Sequence, residues 1–174
     1  KNAFVEKQLT THTQRSQKYP LNMQLNLEDG YGGIREANML FWILNVVYDV
    51  QKAKELVGTK LNYDSYKKFT IALDFLFQTR NALHTIHKKK VDTITFDTLP
   101  EVSSKLNFKN EFEFMAKLFS SLHIIHNFHS NMSSKFIRTM FFDTSNLEVL
   151  RKSRFKKGIY ILENKIYCSF HRSF

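Results

Sequence analysis

The sequence lacks the features that stabilise small secreted proteins or that cross membranes. Its 174 residues contain one cysteine, Cys168, which excludes an internal disulfide framework and is compatible with a cytoplasmic location. No stretch approaches the ~18–20 apolar residues that span a bilayer, and no signal peptide is visible, so we expect no membrane association. Because the chain begins at Lys1 without a Met, we expect it to be part of a longer protein.

Helix-breaking residues are also scarce, since the sequence has only two prolines and five glycines. Seventeen phenylalanines and seven tyrosines, by contrast, supply many large apolar side chains. This composition predicts one mostly helical domain with an aromatic-rich core, because a chain of this length buries enough surface for one domain.

Acidic residues are few relative to basic ones: the sequence has 16 Asp and Glu and 26 Lys and Arg, which gives a formal charge of +10. Such a charge favours acidic partners, among them nucleotides, nucleic acid and acidic protein surfaces. The basic residues are dispersed, with clusters only at 88–90 and 151–157, and such clusters usually form solvated faces. Charge alone therefore does not lead us to expect nucleic acid as a partner.

Three of the five glycines, Gly30, Gly32 and Gly33, lie directly before a helical pattern of apolar residues that begins at Ile34. A glycine-rich turn at a helix N-terminus can present free backbone N–H groups to an anion, and Arg35 adds a guanidinium group. The alternative is a tight interdomain turn in which Arg35 pairs with a carboxylate. The residues by themselves favour this alternative.

The apolar periodicity predicts an all-α fold, an antiparallel helical bundle with a short C-terminal β-hairpin. The expected long helices cover 34–56, 63–88 and 110–141, and the hairpin turn is expected at 163–165. Upstream, the alternation from Leu21 to Leu27 predicts a short strand packed on a neighbouring domain.

Arg80 occupies a position where the second long helix calls for an apolar residue, between Leu76 and Leu83. An unpaired charge there would cost several kcal/mol, so Arg80 must meet a carboxylate or open onto a groove. His84 lies one turn further along the same face. If Arg35 and Arg80 form an internal network, the expected partners are Glu36 or Asp97.

The seven histidines suggest a metal site only weakly. His123, His126 and His129 recur every three residues on one helix, but no cysteine pair or His-Glu motif completes a zinc site. We therefore expect no metal site, and we expect His129 to be a hydrogen-bonded core residue. Nucleophile and phosphate-loop motifs are missing as well, so no catalytic residue is assigned.

The glycines belong to a longer pattern. From Asn26 to Glu36 the sequence reads N-L-x-x-G-x-G-G-I-R-E, followed by L-F-W-I at 40–43. This pattern resembles the signature of the bifunctional uridylyltransferase/uridylyl-removing enzymes, which modify the PII nitrogen-signalling protein. Glu28 stands where these enzymes usually have lysine, and Tyr31 stands where they have proline.

Three further segments resemble elements of the same family, and they occur in the same order. They read F-L-x-x-x-R-x-x-L-H over 75–84, D-T-I-T-F-D over 92–97 and F-E-F-M over 112–115. The resemblance covers about 14–142 and implies a substrate-binding or regulatory helical domain, which packs beside a nucleotidyltransferase domain to form the nucleotide and protein-substrate cleft.

The resemblance also implies a domain organisation and a set of cleft residues. Residues 1–33 would be a helix and loop from the preceding nucleotidyltransferase domain, 34–153 the helical bundle, and 154–174 a hairpin leading to a following hydrolase domain. The residues that would line or brace the cleft are Gly30, Gly32, Gly33, Arg35, Glu36, Arg80 and His84.

The catalytic motifs of that family are missing from this chain. Uridylyl transfer needs a Gly-Ser motif with closely spaced metal-binding aspartates, and uridylyl removal needs a His…His-Asp set. The chain alone is therefore expected to be inactive and to hold no cofactor, whereas its parent enzyme would use Mg²⁺ and UTP. The implied partners are the parent's nucleotidyltransferase and hydrolase domains and a PII-like signalling protein. The alternative function is a non-enzymatic basic helical module for protein interaction or nucleic-acid binding.

Overall fold

The computed structural model describes residues 25–142 without a break, a few helical residues between Phe4 and Thr11, and strand residues 154–156, 159–162 and 165–168. The chain forms two compact units, Lys1–Ser133 and Ser134–Phe174. The domain boundaries expected from the sequence, at 33 and 153, stay a prediction.

Four α-helices account for most of the described residues. They are α1 (Ile34–Tyr48), α2 (Tyr63–His87), α3 (Leu99–Lys105) and α4 (Glu111–Phe142), with short 3-10 helices at Ala53–Leu56 and Phe96–Thr98. Asn62 caps α2 by accepting a hydrogen bond from the Ser65 N–H, and Asn110 caps α4 in the same way from Glu113. The predictions of long helices over 63–88 and 110–141 are confirmed.

The first helix is shorter than predicted, because it ends at Tyr48 instead of continuing to Leu56. Asp49 adopts a left-handed conformation, φ 55°, and its N–H donates to the Asn45 carbonyl. Aspartate tolerates this conformation better than most residues, since its short polar side chain suits turns. The Asn45 side chain then donates to the Val50 carbonyl and fixes the end of the helix.

Aromatic side chains fill the core of the first unit, as the composition predicts. Phe69 of α2 stacks on Phe128 of α4, with ring centroids 4.5 Å apart. A second group joins Phe75 to Phe108 and Phe114 at centroid distances of 5.5–6.3 Å. These rings hold α2 against α4, because edge and offset contacts add to the free energy of apolar burial.

A two-stranded antiparallel sheet is the feature that the predicted fold class omits. Strand β1 (Leu25–Asn26) pairs with β2 (Thr93–Ile94), with Leu25 opposite Ile94 and Asn26 opposite Thr93. The predicted all-α class is therefore wrong for this unit. The alternation from Leu21 to Leu27 predicts a strand, and β1 lies within it, but its partner strand belongs to the same unit and not to a neighbouring domain. Strand β2 has only two residues, too few for a period-two pattern, and its Thr93 lies 67 positions from Asn26.

The C-terminal unit also departs from the predicted fold. It contains a three-stranded antiparallel sheet of β3 (Arg154–Lys156), β4 (Ile159–Leu162) and β5 (Lys165–Cys168). Strands β4 and β5 pair on either side of the predicted turn, and β3 adds a strand that the predicted short hairpin omits. Of the turn predicted at 163–165, residues 163 and 164 lie outside the described residues.

None of the described helices is both long enough and apolar enough to cross a membrane.

Candidate functional site

The small sheet brings acidic residues from two distant segments together. Glu28 and Asp29 follow β1, and Asp92 precedes β2, so antiparallel pairing places all three at the same end of the sheet. The Leu27 N–H extends the pairing by donating to the Asp92 carbonyl at 2.7 Å. We call Glu28, Asp29 and Asp92, with the cationic side chains that contact them, the charge cluster.

Arg80 joins α2 to this cluster through two carboxylates. Its Nε donates to Asp92 Oδ1 at 2.6 Å, and its Nη2 donates to Glu28 Oε2 at 3.1 Å. The Arg80 side chain is 20% exposed and that of Asp92 is 13% exposed. The expectation that Arg80 meets a carboxylate is confirmed, but its partners are not the Glu36 or Asp97 expected from sequence.

Three further side chains complete the cluster. Arg35, in the first turn of α1, donates through Nε to Asp29 and through Nη2 to Glu28 Oε1 at 2.8 Å. His84 Nε2 lies 3.3 Å from Asp92 Oδ1. Lys90 Nζ lies 3.2 Å from Glu28 Oε2 and is largely exposed. Three permanent cations thus face three carboxylates, with one histidine at the edge.

These contacts shift the pKa values of the central pair. Burial by itself would raise the pKa of Asp92, but the hydrogen bond from Arg80 and the Arg80 charge lower it below its ordinary value. The hydrogen bond to Asp92 is the main cause that raises the pKa of Arg80, against the opposing effect of burial. Both groups therefore stay charged at neutral pH.

The glycine turn is packed tightly and keeps its backbone amides for itself. Ile34 N–H donates to the Leu27 carbonyl and Arg35 N–H to the Glu28 carbonyl, at 2.9 and 3.0 Å. A Cβ on Gly33 would lie 2.7 Å from the Glu28 carbonyl oxygen. These N–H groups already have acceptors, so the arrangement matches the tight turn with Arg35 paired to carboxylates.

Glu36 faces away from the charge cluster, towards α4. Its side chain is buried, with Oε2 3.2 Å from His126 Nδ1 and 3.9 Å from His129 Nδ1. The rings of Tyr31 and His126 stack with their centroids 3.9 Å apart. Burial is the main cause that raises the pKa of Tyr31, and the negative charge of Glu36 adds to it. His129 is buried, with Nε2 3.2 Å from Ser133 Oγ, which confirms its prediction as a hydrogen-bonded core histidine.

The predicted cleft residues therefore fall into two groups. Arg35, Arg80 and His84 meet in the charge cluster, whereas Glu36 lies against the histidines of α4. The glycines form the turn between these groups. Within the part of the chain that the structure describes, no set of three or more His, Cys, Asp or Glu side chains is arranged to hold a metal ion.

The sequence analysis missed Asp29, Asp92 and Lys90 as members of the cluster, and it noted Glu28 only as a departure from a motif. Asp92 opens the D-T-I-T-F-D segment, which signals its presence but not its position. A search for carboxylates near Arg80 on its own helix would also have failed, because its acidic partners lie 12 and 52 residues away along the chain.

The fold and the site together define a helical protein built around a glycine turn that is braced by ion pairs. Residues 3–133 match the family described as GlnD PII-uridylyltransferase. The chain therefore belongs to this family, and the predicted resemblance is confirmed.

Curated relatives agree with this assignment, and each is a bifunctional uridylyltransferase/uridylyl-removing enzyme. The protein from Ruegeria pomeroyi is 29% identical over 109 residues, which is 62% of this chain and 12% of the relative. That from Novosphingobium aromaticivorans is 36% identical over 84 residues, 48% of this chain and 9% of the relative. That from Rhodospirillum rubrum is 32% identical over 111 residues, 60% of this chain and 12% of the relative. The chain thus matches about a tenth of the length of these enzymes.

Proposed function

We propose that this chain is the helical substrate-binding or regulatory domain of a PII uridylyltransferase-like nucleotidyltransferase. It packs beside the catalytic domain, and the end of the β1–β2 sheet that carries the charge cluster borders the nucleotide and protein-substrate cleft. The catalytic domain of this parent enzyme supplies the Mg²⁺ and UTP chemistry, and a PII-like protein is the substrate. Residues 1–33 and 154–174 connect the helical domain to its neighbours.

The observation that carries the proposal is the convergence of charged side chains at one partly exposed place. Arg35 comes from α1, Arg80 and His84 from α2, and Lys90 from the segment that leads to β2. A purely structural brace does not require this many polar groups to reach the surface. Guanidinium and ammonium groups at such an edge suit contact with phosphate or carboxylate groups of a ligand.

His84 gives the sharpest test, because it has the fewest described contacts of the four basic side chains in the cluster. Its contact with Asp92 is long, at 3.3 Å, and its side chain is 30% exposed. In the full-length enzyme we expect His84→Ala to lower uridylyl transfer by about tenfold or more, as for the loss of one ligand contact. Thermal melts should change little, since the ion pairs around Asp92 remain.

The matched control is Lys68→Ala, which removes an exposed cation from the same helix away from the cluster. This variant should keep both its activity and its melting temperature. If His84→Ala folds and transfers uridylyl groups as fast as the unmodified enzyme, the proposed role of this surface is wrong.

A further inference from the structure

The Glu28 side chain is the common partner of three cations that come from separate parts of the chain. Its Oε1 accepts from Arg35 Nη2 at 2.8 Å. Its Oε2 accepts from Arg80 Nη2 at 3.1 Å and lies 3.2 Å from Lys90 Nζ. No other described carboxylate bridges this set, since Asp29 contacts Arg35 alone and Asp92 contacts Arg80, His84 and Lys90.

We infer that Arg35, Arg80 and Lys90 form a binding site for a phosphoryl oxyanion, and that the Glu28 carboxylate closes this site by occupying it. Two guanidinium groups and one ammonium group around a single pair of oxygens form an arrangement that binds phosphate as readily as carboxylate. The inference rests on the proposed function, because it assigns a ligand class and a closing device to the same surface.

The local backbone allows the Glu28 side chain to leave without refolding the turn. The N–H groups of Glu28 and Asp29 both donate to Asn26 Oδ1, at 2.9 and 2.7 Å. The Glu28 carbonyl accepts from the Arg35 N–H. Because these bonds fix the main chain, the Glu28 side chain can leave by breaking its ion pairs and rotating about its own bonds, and the turn need not refold.

The site is also accessible and suitably charged once Glu28 has moved. Lys90 is 66% exposed, so a ligand can approach from its side. With Glu28 removed, three cations face only Asp29 and Asp92, which leaves the cluster with an excess of positive charge. An incoming phosphate restores the balance that Glu28 provides in the closed form, so no new buried charge is created.

The test compares Glu28→Gln with Asp29→Asn in the 174-residue chain. Both substitutions neutralise one carboxylate and keep its shape, but only Glu28→Gln removes the negative charge from between the three cations. Calorimetric titrations with inorganic phosphate, UTP and uridine are run at constant ionic strength with sodium chloride. We expect Glu28→Gln to bind phosphate about tenfold or more tightly than either the unmodified chain or Asp29→Asn. Uridine should not bind.

Tighter binding of UTP than of phosphate would identify a nucleotide as the source of the phosphoryl group, and equal binding would identify free phosphate. If Glu28→Gln binds phosphate no better than Asp29→Asn, the inference is overturned, while the His84 experiment still decides the proposed function.

The excess positive charge left by Glu28→Gln could prevent the variant from folding in a buffer without phosphate. In that case phosphate should restore the helical circular-dichroism signal, whereas sodium chloride at equal ionic strength should not. Failure of phosphate to restore the helices would equally overturn the inference.

Discussion

At the scale of single residues, Arg80 shows how a charge is accommodated on an apolar helix face. Thr79 and Leu83 beside it are fully buried, yet its guanidinium reaches past them to Asp92 and Glu28 at the end of the sheet. Long basic side chains can bury their methylene groups and still place the charged end among polar partners. The two roles considered for Arg80, brace and cleft residue, therefore do not exclude each other.

Removal of this side chain tests its contribution to stability. We expect Arg80→Ala to lower the free energy of unfolding by about 2–3 kcal/mol, because Asp92 and Glu28 lose charge-assisted hydrogen bonds. The loss should stay below the ~3–5 kcal/mol seen when a fully buried pair is broken, since the Arg80 side chain is 20% exposed.

Urea melts of the chain measure this difference, and Lys68→Ala again serves as the control on the same helix. If the Arg80→Ala variant unfolds at the same urea concentration as the unmodified chain, the ion pairs add no net stability.

At the scale of elements, the glycine turn is the joint between β1, α1 and α4. Gly32 has φ 65°, and a Cβ there would lie 1.9 Å from the Leu122 carbonyl oxygen of α4. Tyr31 and Glu36 flank this contact and meet His126 on the same helix. The turn is thus held against α4 by close backbone packing in the middle and by polar side chains on either side.

We therefore expect Gly32→Ala to destabilise the fold strongly. The added methyl group collides with backbone, which cannot move aside as a flexible side chain would, and we expect a loss of about 3 kcal/mol or more. Gly58→Ala is the matched control, since Gly58 also has positive φ, 86°, but has nothing within 4 Å of the Cβ position. It should cost only the ~1–2 kcal/mol of left-handed backbone strain.

Thermal melts of the two variants provide the comparison. If both variants lose the same stability, α4 moves away from the turn at little cost in free energy, and the turn is not a tight joint.

At the scale of the whole molecule, the basic residues behind the formal charge of +10 are dispersed along the sequence. Arg35, Arg80 and Lys90, which lie close together, are balanced by Glu28, Asp29 and Asp92. Counterion release, which drives non-specific binding of nucleic acids, needs cations that are free to replace salt ions on phosphates. With Glu28 in place, the charge cluster is therefore poorly suited to that task.

A salt titration separates the proposed function from the alternative of a nucleic-acid-binding module. We expect no binding of duplex or single-stranded DNA at about 0.15 M salt, because paired cations gain little from a polyphosphate backbone. Fluorescence anisotropy with labelled DNA measures this, starting from low salt. Tight binding that falls about a thousandfold between ~50 and ~200 mM salt would instead support the nucleic-acid alternative.

The sequence by itself determined the helices that carry a strong local signal. Apolar periodicity set α2 and α4 almost to the residue, because such a signal acts within a few residues along the chain. The position of Arg80 on an apolar stripe likewise required a partner, and the order of short motifs identified the family. These inferences need no knowledge of which segments meet in space.

Only the tertiary structure decided which carboxylates pair with Arg80 and which two segments form the sheet. The alternation from Leu21 to Leu27 indicated a strand at β1, but the two residues of β2 are too few to leave a pattern that would identify it as the partner. Glu28 and Asp92 reach Arg80 only because this pairing brings their segments together, across 52 and 12 positions of the chain. Long-range contacts depend on the free energy of the whole packed fold, and local preferences of residues do not encode them one by one.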